Sequence, residues 1–126
     1  MKLLIALIAL LVTSLAVAQP YAGVQKATAE DKKTLAAKEK AYASAKAMYV
    51  KKPNDAKVKK AYAAAAANYG YESMISPVLD RSVKYRQALR LFREAMKIEP
   101  NHPLAKPASD KIIQIYKSLG RPVPKD

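Results

Sequence analysis

With 126 residues and 23 Lys and Arg against 10 Asp and Glu, a formal charge of +13, the chain suits one modest domain attracted to anionic surfaces. It has no Cys, one His and three Gly, which excludes a disulfide framework, a lipid-modified Cys, the common His/Cys metal sites and a glycine-rich phosphate loop. The acidic residues are scattered without metal-ligand spacing, so no catalytic residue, metal or cofactor is expected and the chain does not read as an enzyme.

Residues 1–18 hold Lys2, an apolar run from Leu3 to Val12, and Ala16-Val17-Ala18 before Gln19. A charged start, a short apolar core and a small-x-small site are the three parts of a secretory signal peptide. The uncharged run from Leu3 to Ala18 falls short of the roughly 20 residues that span a bilayer. Cleavage after Ala18 and export, periplasmic or secreted, are therefore expected, with a retained anchor as the competing reading. Export lowers the chance of meeting nucleic acid. The charge then points to acidic proteins, an anionic envelope polymer or a lipid surface, or simply to solubility.

Residues 19–27, with Pro20 and Gly23, read as a flexible leader. Thr28 before Glu30 and Asp31 predicts an N-cap with acids in the first turn, opening a helix from Ala29 to about Lys51. Its apolar face is Leu35, Tyr42, Ala45 and Tyr49. Pro53-Asn54-Asp55 closes it and caps a second helix, predicted from Ala56 to Ser73 with Val58, Tyr62, Ala65 and Tyr69 inward. Gly70 costs about 1 kcal/mol relative to Ala in a helix, so fraying or termination is expected there.

Residues Met74 to Val83 read as a connection, long against the usual 2–8 residues, with Ser76-Pro77 breaking helix. Its apolar Met74, Ile75, Val78 and Leu79 either tuck onto the helices or form a docking patch. A third helix is predicted from Ser82 to Glu99. Tyr85, Ala88, Leu89, Phe92, Ala95 and Met96 form one stripe at helical period, and Pro100 stops it. A last helix follows Asn101-His102-Pro103, with Pro107 in its first turn. It carries apolar Ile112, Ile113, Ile115, Tyr116 and Leu119, and Gly120 is placed as its left-handed cap. Residues 121–126 form a tail.

Tyr85, Ala88, Phe92, Ala95, Pro100 and Asn101 together resemble the second helix of a tetratricopeptide repeat. Tyr62 and Tyr69 match the two aromatic positions of a first helix, and Tyr116 and Gly120 match the next repeat's first helix. Ala47, Met48 and Pro53 resemble the end of a preceding repeat. The resemblance implies an all-α, antiparallel helix-turn-helix array of about four helices over residues 28–120, serving as a protein- or peptide-binding adaptor or scaffold. The family's clamp residues for peptide carboxylates have no counterpart here, so no binding residue is carried over.

Candidate partner-binding residues come from three places. Arg86, Arg90, Arg93 and Lys97 share one sector of the third helix opposite its apolar stripe, with Glu94 expected to offset Arg90. Tyr71 departs from the face of Tyr69 and is expected to be exposed beside the Met74–Leu79 apolar set. Gln114 and Lys117 lie on the polar side of the last helix, which suits a terminal cap and favours a monomer over a homo-oligomer. The remaining helical tyrosines read as core rather than stacking platforms, and His102 as a linker residue without a special role.

Overall fold

A computed structural model describes residues 26–125. The signal segment, most of the leader and Asp126 lie outside the described residues. Among the described residues the chain is all-α, with four helices: α1 (Ala29–Lys51), α2 (Ala56–Ile75), α3 (Arg81–Ile98) and α4 (Ala105–Ser118). None is long and apolar enough to cross a membrane.

Helix α1 starts at a reciprocal cap. The Asp31 N–H donates to Thr28 Oγ1 at 3.1 Å, and the Thr28 N–H donates to Asp31 Oδ2 at 2.8 Å. The Thr28 N–H, and then the Thr28 hydroxyl, donate to the Asp31 carboxyl and hold it below its ordinary pKa. At the start of α2, Asp55 Oδ1 accepts from the Val58 N–H at 3.0 Å. Each cap satisfies a backbone donor that has no partner inside the helix.

Helix α2 does not end at Gly70. It continues through Ile75, and Gly70 is buried. A Cβ there would stand 2.8 Å from Phe92 Cε1 and 3.2 Å from Leu91 Cβ. The missing side chain thus gives α3 its place, and close packing outweighs the helix cost of glycine. The connection consequently shrinks to Ser76–Asp80, and no ten-residue loop exists. It turns inward: Ser76 is buried and its Oγ accepts from the Val78 N–H at 3.2 Å. Val78 and Leu79 pack against Leu35, Tyr69 and Leu91, while Met74 packs on the main core.

Helices α2 and α3 form the central pair, with α1 on α2 and α4 mainly on α3. The main core is Ala63, Ala66 and Ala67 of α2, Ala88, Leu89, Phe92 and Ala95 of α3, and Ala105, Ala108 and Ile112 of α4. Small residues on α2 let the larger α3 side chains enter. A second cluster, Leu35, Tyr69 and Leu91, ties α1 to the pair. Leu91 lies outside the stripe read from Tyr85 to Met96, yet it is fully buried because α3 meets neighbours on two sides.

His102 proves to close the turn that leads into α4. It is buried, and its Nδ1 accepts from the N–H groups of Leu104 and Ala105, both at 3.2 Å. Nδ1 is therefore the unprotonated nitrogen. At the other end Gly120 takes φ 63°, its N–H reaches Lys117 O at 3.1 Å, and the Arg121 N–H reaches Tyr116 O at 3.0 Å. This pair of bonds is a Schellman ending. The tail then folds back: Val123 packs on the core, and Arg93 Nη1 donates to Lys125 O at 2.6 Å.

Candidate functional site

Because α4 returns beside α3, the last turns of α4 face the first turns of α3. Between them lies a groove of about 520 Å³ lined by Asp80, Arg81, Ser82, Tyr85, Ile115, Tyr116, Leu119 and Arg121. The Schellman turn brings Arg121 to its edge. Tyr85, Ile115 and Tyr116 are half-buried, and Leu119 is 63% exposed. The floor is thus apolar and aromatic, with arginines on the rim. Asp80 is the one acid in the lining. Its carboxyl is held below the ordinary aspartate value, first by the Ser82 hydroxyl and then by the Arg81 N–H.

A second, shallower depression of about 470 Å³ adjoins the first through Ser82. It is lined by Ser82, Val83, Arg86, Gln87 and Arg90. Arg86, Arg90 and Lys97 are exposed, and none enters an ion pair among the described residues. Arg93 differs from them. It is half-buried, with its guanidinium on the tail carbonyl of Lys125.

Glu94 does not offset Arg90. It turns toward α1 and gathers three donors. Tyr42 Oη lies 2.9 and 2.7 Å from its two carboxylate oxygens, Tyr62 Oη 2.8 Å and Lys46 Nζ 3.1 Å from Oε1. Burial alone would raise the Glu94 pKa, but hydrogen bonds from Tyr42, Tyr62 and Lys46, with the lysine charge, hold it below the ordinary value. Burial, reinforced by Glu94, raises the Tyr42 hydroxyl above its ordinary value and pushes the Tyr62 hydroxyl well above it. Tyr42, Tyr49, Tyr62 and Tyr69 form one ring cluster, with Tyr49 stacked on Tyr62 at 4.8 Å. The carboxylate stays ionised and the phenols stay protonated around neutral pH. The constellation therefore suits a clasp better than proton transfer, which needs a pKa near working pH.

The other predicted residues are dispersed. Tyr71 and Ile75 are exposed one turn apart on α2, whereas Met74, Val78 and Leu79 are partly buried against the two clusters. Gln114 and Lys117 are exposed on α4. A smaller apolar groove of about 360 Å³ lies between α1 and α2, lined by Ser44, Ala45, Met48, Lys57, Val58 and Ala61. Among the described residues, no group of three or more His, Cys, Asp or Glu is placed to hold a metal ion.

The α3–α4 groove escaped the sequence reading, although Tyr85, Tyr116 and Leu119 were legible as apolar positions. Its signal was the conjunction of Asp80, which opens α3, with Gly120, which closes α4. Those two ends meet only if successive helices fold back on each other. Compared with family models, with curated proteins and with solved structures, the chain finds no match.

Proposed function

We propose that the chain is an exported, non-enzymatic adaptor or scaffold, tetratricopeptide-like in its helices, that binds another protein or peptide. The observation that carries this reading is the α3–α4 groove. It is open, its floor is apolar through Tyr85, Ile115, Tyr116 and Leu119, and its rim holds Arg81 and Arg121. A groove of this make-up suits the anchoring of a few side chains with polar contacts around them. The resemblance to a repeat family adds the expectation of a protein partner, and residues 1–18 supply the expectation of export.

Affinity capture from an envelope extract tests the reading. A defined protein should remain bound in moderate salt and be lost with Leu119→Asp, while the helical melt of that variant stays near that of the parent. Salt-sensitive background alone, or a partner indifferent to that substitution, would sink it.

The second reading is attachment to an anionic envelope polymer or lipid surface. It is favoured by the exposure of Arg86, Arg90 and Lys97 without an ion-pair partner among the described residues. Such attachment should weaken steeply with salt, since screening shortens to about 8 Å near 0.15 M. Association that ignores salt would count against it.

A further inference from the structure

We infer that the groove and the depression beside it form one docking surface for an acidic peptide bearing apolar side chains. The inference rests on the adaptor reading and names the chemistry of the partner. The two hollows share Ser82 as a common wall, so a bound segment can cross from one to the other. On one side Tyr85, Tyr116 and Leu119 offer an apolar seat. On the other, Val83, 48% exposed, lies with Arg86 and Arg90.

Charge decides the sign of the ligand. Arg81, Arg86, Arg90 and Arg121 line the combined surface, against Asp80 as its one acid. Asp80 is already engaged by the Ser82 hydroxyl. Arg86 and Arg90 stand one helical turn apart, a like-charge spacing that costs a few tenths of a kcal/mol. Among the described residues, no acidic side chain pairs with either of them. A carboxylate-bearing segment relieves that repulsion and gains directed hydrogen bonds from the guanidinium groups.

The apolar seat decides between a peptide and a plain polyanion. A polymer of charges alone leaves exposed Leu119 and the uncovered parts of Tyr85 and Tyr116 facing water, and a layer of charged headgroups presents no side chains to seat between α3 and α4. A peptide that alternates acidic and apolar residues satisfies both hollows. Its apolar anchors would supply most of the affinity, and its carboxylates would supply register and association rate.

The test is fluorescence anisotropy with the full chain and a fluorescein-labelled ten-residue peptide of alternating Glu and Leu. Two comparison peptides replace Leu by Ser, or Glu by Lys. The Glu/Leu peptide should bind, and both comparison peptides should bind roughly tenfold more weakly or worse. Arg86→Glu with Arg90→Glu should weaken binding by about tenfold or more. Lys40→Glu with Lys60→Glu changes the net charge equally at exposed positions outside both hollows, and should alter affinity by no more than about twofold. Thermal melts of both double variants establish that each is folded.

Equal losses in the two double variants would show general electrostatic attraction and overturn the inference. So would equal binding of the Glu/Ser peptide. The adaptor reading survives either result if capture of an envelope protein still depends on Leu119. Binding to phosphatidylglycerol vesicles with no binding of the Glu/Leu peptide overturns the inference in favour of a lipid surface.

Discussion

Helices α4 and α1 flank the same central pair, and they are held to it in different ways. Helix α4 seats Ala105, Ala108 and Ile112 in the main core against Leu89 and Phe92. Helix α1, the longest of the four described, buries only Leu35. The remainder of its hold is the ring cluster and the donors that Tyr42 and Lys46 bring to Glu94. One flank is joined by apolar area, which is indifferent to direction and pH. The other is joined by one small apolar cluster, a set of tyrosine rings and a few aligned polar contacts around one carboxylate. Attachment of the second kind should open locally before the molecule unfolds as a whole.

The largest expected effect is on the apolar side. Phe92→Ala removes a fully buried ring that fills the space over Gly70 and should cost about 3–5 kcal/mol in urea unfolding. All four helices should lose structure at the lower midpoint. Loss confined to α1 would contradict the division between the flanks.

Next comes Glu94→Gln, which removes the charge facing Lys46 and leaves the two phenols a weaker acceptor. Local stability should fall by about 2 kcal/mol. Amide exchange should quicken across α1 and change little in α3 and α4. Uniform acceleration along the chain would show that α1 is no separate unit.

The pH dependence follows from the same contacts. Glu94 is depressed in the fold, so its contribution is complete above the ordinary glutamate value of 4.5 and is lost as pH falls through its lower folded value. The Tyr42 and Tyr62 hydroxyls are raised, so their contribution is complete below 10.0 and fades as pH climbs beyond it. Protection of α1 amides should therefore form a plateau between about pH 4.5 and 10, steeper at both ends than protection of α4. In Glu94→Gln the acid limb should flatten to what the Asp31 cap contributes.

The smallest effect belongs to the start of α4. His102→Ala removes the acceptor for the Leu104 and Ala105 N–H groups and should cost about 1 kcal/mol. His102→Asn should restore part of it, because an Asn side chain accepts from the backbone of such a turn. A thermal melt unchanged by His102→Ala would deny the turn its role.

The sequence was most legible where structure is local. Thr28, Pro53 and Gly120 act on their own turns, and the ends of α1 and the close of α4 fall where those residues place them. Reading failed where a distant segment decides. Gly70 looked like a helix end because its propensity is visible in the sequence, whereas the ring of Phe92 against it is not. Glu94 looked like a partner for Arg90 because both sit on α3, and no helical period discloses that Tyr42, 52 residues earlier, arrives beside it. The basic stripe was legible as spacing, but the return of the tail to Arg93 depends on the direction in which the Schellman turn releases the chain.

The origin of the Glu94 clasp also bears on the order of assembly. Every anchor of α1 outside α2 comes from α3 or the turn before it: Glu94, Leu91, Val78 and Leu79. Helix α1 precedes all of them in the chain. Its amino-terminal half can become helical early, helped by the Thr28 cap, but it has no complete surface to dock on until α3 has folded back onto α2. Among the described helices, the first in the chain is therefore the last to be fastened.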